Sequence, residues 1–295
     1  THNISKFESM ESPVSPEEVV DGVINLVSLP EVCIKVNEMV DDPVTSANDI
    51  GNVIMGDPSL SARLLRIVNS SYYGFASKIT TITRAVSVIG TQDLRNLILA
   101  TSAVNAFSSI PNELVNMETH WRHSVYTGVL AKIIAKKCHV LHSERLFIGG
   151  LLHDIGKLVL YHRLAKEARD ILLIADGHPE AVHDIEQDVL GFTHADVGFE
   201  LSKCWNLPES LQEVIKYHHN PNPSSEYFMD ESIVHIANVY SLKLDQDIAL
   251  DECAALVDPA AWKNIAVSMD DMEDVVLLAE PEFDNALKMI LQDSL

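Results

Sequence analysis

The sequence contains 295 residues, 47% of them apolar, which is enough to bury a sizeable core and excludes wholesale disorder. Asp and Glu number 43 against 21 Lys and Arg, so the formal net charge is −22. Because nucleic acids and anionic bilayers attract basic surfaces, this charge argues against either as the main partner. Histidine is unevenly distributed, since all twelve residues other than His2 lie between positions 120 and 235.

The cysteines and the N-terminal segment bear on the compartment. The four cysteines, at positions 33, 138, 204 and 253, form no C-x-x-C pair, which is typical of a reduced, cytoplasmic protein. No apolar run approaches the roughly 18 residues of a membrane-spanning helix. The first residues also lack the basic and then apolar pattern of a secretory signal. We therefore predict a cytoplasmic protein without a membrane partner.

Helical patterns follow one another along the chain, and no segment reads as a convincing strand. Ser15, Pro16 and Glu18 supply an N-cap, a first-turn proline and the partner of a capping box, and apolar residues follow at helical spacing. The stretch from Thr91 to Phe107 predicts another helix, with Thr91 as its cap. The predicted fold is all-α, a bundle of many helices.

Pro111 marks a change in composition, because few histidines precede it and most follow it. Residues 112–138 read as one long helix, and a terminal amphipathic helix begins at Glu282. We predict four segments along the chain: an N-terminal tail (1–15), an N-terminal helical part (16–110), a helical core with a candidate metal site (111–245) and acidic C-terminal helices (246–295).

His153 and Asp154 lie side by side in the apolar stretch GGLLHDIGK, residues 149–157. An imidazole and a carboxylate are costly to bury unless they pair with each other or coordinate an ion. Histidines also occur upstream at His123 and downstream at His194 and at the His218-His219 pair. Imidazole with carboxylate suits Fe, Mn, Zn or Ni rather than Ca²⁺. Two other interpretations stay open: a hydrogen-bonded His–Asp pair without metal, and exposed histidines at the ends of helices.

The order H…HD-x-G-K…H-x-x-x-G…HH resembles the HD phosphohydrolase superfamily. The N-terminal half, with Leu29-Pro30, Asp57-Pro58-Ser59-Leu60, Val68-Asn69-Ser70 and Ile89-Gly90, is similar to the HDOD domain, the HD-related output domain of bacterial signalling proteins. The resemblance covers about residues 20–245. It implies an all-α fold in which an HDOD helical region packs on an HD-type core.

The resemblance also implies roles for individual residues. His123, His153 and Asp154 match one metal site, and Asp154, His194, His218 and His219 match a second, so one or two divalent transition-metal ions are expected. Lys157 matches a lysine that contacts substrate phosphate, and Lys157 and Asp154 are the implied catalytic residues. Asn238 stands where the family's last ligand is an aspartate, and the Gly-Tyr-Pro loop of HD-GYP phosphodiesterases is missing after His219. Thr119 stands where some relatives have a third-metal glutamate.

Two functions are compatible with these residues. The first is a bacterial regulatory protein that acts through contacts with a signalling partner and retains an HD-type metal site. The alternative is a metal-dependent phosphohydrolase that acts on a phosphodiester, a nucleotide or another small phosphoester. His120 and His235 lie within a helical turn of candidate ligands, whereas His139, His142, His162, His178 and His183 are predicted to be solvated. The sequence leaves the oligomeric state open.

Overall fold

The computed structural model describes residues 15–291. Within that range the chain forms α-helices, two short 3-10 helices and no strand, so the predicted all-α fold is confirmed. The α-helices are α1 (Pro16–Asp21), α2 (Glu31–Asp41), α3 (Ala47–Met55), α4 (Pro58–Val68), α5 (Ile82–Ile89), α6 (Thr91–Ser108), α7 (Met117–Lys137), α8 (Glu144–Leu152), α9 (Ile155–Arg163), α10 (Ala165–Ala175), α11 (Val182–Leu190), α12 (His194–Cys204), α13 (Glu209–Tyr217), α14 (Phe228–Gln246), α15 (Leu250–Leu256), α16 (Pro259–Lys263) and α17 (Met272–Leu291). The 3-10 helices span Pro179–Ala181 and Met269–Asp271.

Local capping explains where several helices begin. The Ser15 hydroxyl accepts from the Glu18 amide and the Glu18 carboxylate accepts from the Ser15 amide, which confirms the predicted capping box. The prediction that Thr91 caps α6 is wrong. Gly90, at φ +87°, precedes the helix, and Thr91 is the first helical residue. Glycine adopts that φ without a steric penalty, so the chain turns into α6 without a side-chain cap.

Helix α7 forms the centre of the molecule and packs against α8, α14 and α17. It begins at Met117 rather than at residue 112, and its residues from Ser124 to Ala135 are buried on every side. A helix that is covered all round needs apolar or small residues on its faces, and residues 124–135 supply them except at Lys132. The buried Lys132 ammonium pairs with Glu144 and donates to the Tyr72 hydroxyl, each over 2.7 Å. The candidate ligand His123 therefore extends from a rigid, fully packed helix.

The N-terminal helices share a core with the rest of the chain. One cluster of buried apolar side chains extends from Val19 to Leu291. Helix α1 packs against α9 and α12, and the Trp205 indole donates to the Val27 carbonyl over 2.9 Å. The proposed division of the chain at residue 110 stays a prediction about sequence organisation, because the buried core is continuous across it.

The last helix differs from its prediction. Helix α17 runs without interruption from Met272 to Leu291 and contains Pro281, so the prediction that a helix begins at Glu282 is wrong. Pro281 lies on the exposed face, one turn after the exposed Leu277. Pro281 has no N–H to donate to the carbonyl of Leu277, four residues earlier. That carbonyl lies on the exposed face and can bond water instead, which lowers the cost of keeping proline in the helix.

Close backbone approaches position the helices that carry the histidines. Helix α9 packs on α12, and a Cβ added at Gly156 would lie 1.9 Å from the His194 carbonyl oxygen and 2.5 Å from the Gly198 nitrogen. A side chain at Gly156 would therefore push α12 away from α9. The short approach fixes the distance between Asp154 and His194.

We expect Gly156→Ala to lower the free energy of unfolding by at least about 1–3 kcal/mol, the usual cost of overpacking a core. Gly51→Ala is the control, because a Cβ there has no atom within 4 Å, and it should leave stability unchanged or raise it by up to about 1 kcal/mol. Urea unfolding followed by far-UV circular dichroism measures both. Equal stability of the two variants would contradict the close-approach argument.

Candidate metal centre

A break between two helices brings His153 and Asp154 to the same point. Helix α8 ends at Leu152 and α9 begins at Ile155, and Asp154 between them has φ −97° and ψ 11°. Neighbouring side chains on a continuous helix point about 100° apart. Here the irregular junction places His153 Nε2 3.4 Å from Asp154 Oδ2.

The first predicted group lies on one side of the Asp154 carboxylate. His123 Nε2 lies 3.3 Å from His153 Nε2 and 3.8 Å from Asp154 Oδ2. Asn238 of α14 lies beside them, with its Oδ1 3.1 Å from His123 Nε2. These three candidate ligands and the amide therefore come from α7, the α8–α9 junction and α14.

The second predicted group lies on the other side of the same carboxylate. Asp154 Oδ1 is 3.2 Å from His194 Nε2 and 3.4 Å from His218 Nε2. His219 Nε2 lies 3.1 Å from His194 Nε2. His194 starts α12 after the capping box of Thr193, and the His218-His219 pair follows the end of α13.

The outer ring nitrogens are held by oxygen acceptors. His153 Nδ1 lies 2.6 Å from the Gly150 carbonyl, and His218 Nδ1 lies 2.7 Å from the Ile215 carbonyl. His194 Nδ1 lies 2.6 Å from Glu186 Oε2. Since a carbonyl or carboxylate only accepts, each Nδ1 donates in the neutral ring, and each Nε2 lone pair faces Asp154.

This set of donors fits a divalent transition-metal ion. Imidazole lone pairs converge on one carboxylate, whose Oδ1 is buried and has no hydrogen-bond partner. The Nε2 atoms of His123 and His153 lie 3.3 Å apart and those of His194 and His218 lie 3.4 Å apart, and in the neutral rings their lone pairs repel each other unless a cation lies among them. The two groups of ligand atoms, His123, His153 and Asp154 in one and Asp154, His194, His218 and His219 in the other, each lie within 4.8 Å of one another.

Burial keeps most of these rings neutral. It lowers the pKa of His218 to about 3 and that of His219 well below the ordinary value. Burial alone would raise the pKa of Asp154, yet the Lys157 ammonium holds it well below the usual range. Lys157 Nζ lies 2.6 Å from Asp154 Oδ2. Burial also lowers the pKa of His153, whereas Glu186, against the effect of burial, raises the pKa of His194. The centre therefore combines one ionised carboxylate with imidazoles, the donor set that Fe, Mn, Zn and Ni share.

Two acidic residues beside the ligands were not identified from the sequence. Asp245 Oδ2 lies 2.6 Å from His123 Nδ1. Buried Glu186 accepts from both Nδ1 and the main-chain amide of His194. Asp245 follows Asn238 by seven residues, two helical turns, so helical periodicity on α14 was the available signal. Glu186 lies on another helix, α11, and no sequence pattern indicates its approach.

Three further histidines lie near the centre. His183 was predicted to be solvated, and that prediction is wrong: its ring lies 4.4 Å from the His219 ring, and burial lowers its pKa. The reason is that α11 packs along the cluster. His235 Nδ1 lies 2.8 Å from the His218 carbonyl, while its Nε2 accepts from the Asp258 amide over 3.0 Å. His120 is buried, and its Nε2 has no hydrogen-bond partner.

An open pocket leads to the centre. It encloses about 240 Å³ and is lined by His123, Lys157, His183, His219 and Asn238, among others. Small solutes can therefore reach His123, His219 and Asn238 from solvent. Among residues 15–291, none of the helices has both the length and the apolar character needed to cross a membrane.

The chain matches one protein family and several known proteins. The family model described as the HDOD domain matches residues 26–221. An uncharacterized protein of Treponema pallidum (strain Nichols) is 28% identical over 240 residues, which are 79% of this chain and 45% of that protein. This chain therefore spans about half the length of that curated relative.

Three solved structures have the same fold. A proposed phosphohydrolase from Shewanella amazonensis SB2B is 24% identical, with a TM-score of 0.72 over 92% of this chain and 97% of its own. An HDOD domain protein of unknown function from Geobacter sulfurreducens is 22% identical, with a TM-score of 0.72 over 94% and 99%. A proposed signal transduction protein from Marinobacter aquaeolei VT8 is 17% identical, with a TM-score of 0.64 over 95% and 67%.

We expect Asp245→Asn to weaken binding of the ion beside His123 by about 10–100-fold, because carboxylates that accept from a ligating histidine orient the ring and raise its basicity. Competition with a chromophoric chelator measures the affinity. The matched control is Asp247→Asn: Asp247 directly follows α14 and has φ +53°, a conformation that Asn also favours. Equal affinities in the two variants would show that Asp245 does not support His123.

Proposed function

Because this chain belongs to the HDOD family, we propose that it is a signal-transduction protein that acts through contacts with a protein partner and holds a divalent metal ion at Asp154. The observation that carries the proposal is the set of metal-ligand atoms that His194, His218 and His219 supply on one side of Asp154. The signal-transduction neighbour supports the role, and the net charge of −22 favours a partner with a basic surface.

The second group is the stronger candidate site. It has an ionised carboxylate, Asp154, and three imidazoles, His194, His218 and His219. The rings of His194 and His218 are already fixed through Nδ1. Fixed ligands lose little conformational entropy on binding an ion. Fe, Mn, Zn and Ni are all compatible with this set.

The first group is weaker, which favours a regulatory role over catalysis. Its own ligands are two imidazoles, it shares Asp154, and Asn238 contributes only a neutral amide. Two-metal phosphoester cleavage needs both ions in place, roughly 3.5–4 Å apart. A loosely held first ion is compatible with a protein whose state depends on metal occupancy.

We expect protein purified without added metal to carry about one transition-metal ion per chain, because only the second group has a complete set of ligands. His218→Ala should remove that ion, and His178→Ala, which changes an exposed histidine, should not. Asn238→Asp should add a second ion or tighten its binding. Mass spectrometry of the metals with protein quantification measures all three. Metal-free wild type that takes up no Zn²⁺ or Mn²⁺ would refute the ligand assignment.

A second candidate function is phosphoester hydrolysis, with a phosphodiester or a nucleotide as substrate. The observation that favours it is Lys157, which contacts Asp154 while its side chain stays 21% exposed at the pocket. Lys157 can bind a phosphate oxygen as a point charge. A bound divalent ion would polarise the phosphoryl group and offset its charge. Asp154 and the fixed imidazoles would hold the ion, and the neutral His183 and His219 would line the entrance.

For this second candidate we expect turnover of bis(p-nitrophenyl) phosphate in the presence of Mn²⁺ or Fe²⁺, abolished by His153→Ala. Lys157→Met should lower kcat/KM by about 100-fold or more, the usual loss when one charge-stabilising group is removed. Lys166→Met is the control, because Lys166 lies on α10 and does not line the pocket. Turnover no faster than the metal ion alone would eliminate hydrolysis of this substrate class while leaving the regulatory proposal intact.

A further inference from the structure

The space beside the candidate metal centre has two lobes. The first is the pocket described above, whose wall includes His183, His219 and Asn238. A second lobe of about 350 Å³ lies on the other side of His123 and Lys157, between the start of α7, the α10–α11 connection and the end of α14. His123, Lys157, Pro179 and Leu242 line both. We call the second space the apolar lobe.

Aliphatic side chains from separate elements line the apolar lobe, namely Leu114, Val115, Leu172, Val182 and Leu242. Val182 and Leu242 are buried, and the other three are partly exposed to the lobe. Partly exposed aliphatic side chains that converge on a concave space next to charged groups are typical of the part of a binding site that takes an apolar portion of a ligand. The end of the lobe touches Asp154 and Lys157. An occupant would therefore have one apolar end and one end at the metal centre.

One polar atom beside the lobe lacks a partner. His120, 9% exposed, lines the apolar lobe, and its Nε2 is buried without a hydrogen bond. Burial lowers the pKa of this ring to about 3, so the ring is neutral. The neutral ring therefore adds no charge to the wall of the apolar lobe.

The charged side chains around the two lobes limit the number of phosphates that a ligand can carry. Among the described residues that line the two lobes, Lys157 is the only lysine or arginine. The carboxylates of Asp245 in the apolar lobe and of Glu180 and Asp184 in the first lobe would repel a second phosphate. This pattern suits one phosphate at the centre rather than two.

We propose that the apolar lobe binds the uncharged aromatic or aliphatic group of a phosphoester with a single phosphate, which lies at Lys157 and the metal ligands. The inference rests on the phosphoester-binding centre proposed above and names its ligand class. A single ring fits within about 350 Å³. Burial of one face of a ring removes enough apolar surface from water to strengthen binding by about tenfold or more.

The test uses phosphonates, whose carbon–phosphorus bond is not hydrolysed, so that binding is measured without turnover. Calorimetric titration of the Mn²⁺-loaded full chain compares phenylphosphonate with methylphosphonate, which carry the same charged group. We expect phenylphosphonate to bind at least about tenfold more tightly, the difference that burial of the ring predicts. Equal affinities would overturn the apolar-lobe inference and leave the phosphoester centre standing. If neither phosphonate bound, both the centre and the lobe would be refuted as phosphoester sites.

Two adjacent leucines provide matched variants. Leu172→Trp places a large ring in the apolar lobe, whereas Leu173→Trp makes the same change at a position that is 72% exposed and does not line it. Leu172→Trp should abolish the phenyl preference without changing the affinity for methylphosphonate, and Leu173→Trp should preserve both. Val115→Asp, on another wall of the lobe, provides a second route if Leu172→Trp does not fold. If every folded lobe variant still bound phenylphosphonate more tightly than methylphosphonate, the phenyl ring would bind at another surface and the apolar-lobe inference would be wrong.

Discussion

The buried charge of Asp154 is the constraint on which the rest of the structure depends. Its side chain is 3% exposed, and an ionised carboxylate in that position costs several kcal/mol unless other groups compensate it. Lys157, one helical turn further along, provides one full charge at 2.6 Å. The remaining contacts are imidazole nitrogens. In the neutral rings of His153 and His218 the proton lies on Nδ1, which faces a main-chain carbonyl, so these rings offer no hydrogen bond to the carboxylate. The fold thus leaves this carboxylate partly uncompensated, which is the expected condition of a metal ligand before its ion is counted.

Preserving that arrangement requires rigid support from distant parts of the chain. His153 and His218 are fixed by carbonyl groups of their own helices, three residues earlier in each case. His194 depends on Glu186 from α11. His235 connects the His218 carbonyl to the amide of Asp258, the residue before α16. The C-terminal helices therefore support the centre, although they lie beyond the residues matched by the family model.

How far the sequence anticipates this centre depends on the range of each interaction. Local patterns predict the capping box at Ser15 and the all-α class. The HD-type order of residues predicts the eight residues of the candidate site, and the structure brings all eight together. Glu186, Asp245 and His183 depend on which helices meet in space. With 43 acidic residues in the chain, a single Glu or Asp carries little information on its own. The error at Pro281 has a related reason. A helix tolerates proline best on its exposed side, and the sequence alone does not show which side of α17 is exposed.

Asn238 changes the charge balance of the centre rather than simply weakening it. An amide in place of a carboxylate removes one negative charge from the group around His123. Asp245 returns one on the far side of the His123 ring, 2.6 Å from Nδ1. There it can strengthen the ring as a ligand but cannot itself occupy a coordination position. One divalent ion together with Lys157 would offset the carboxylates of Asp154, Asp245 and Glu186. A loaded centre would therefore admit a phosphate locally, although the chain as a whole carries a charge of −22.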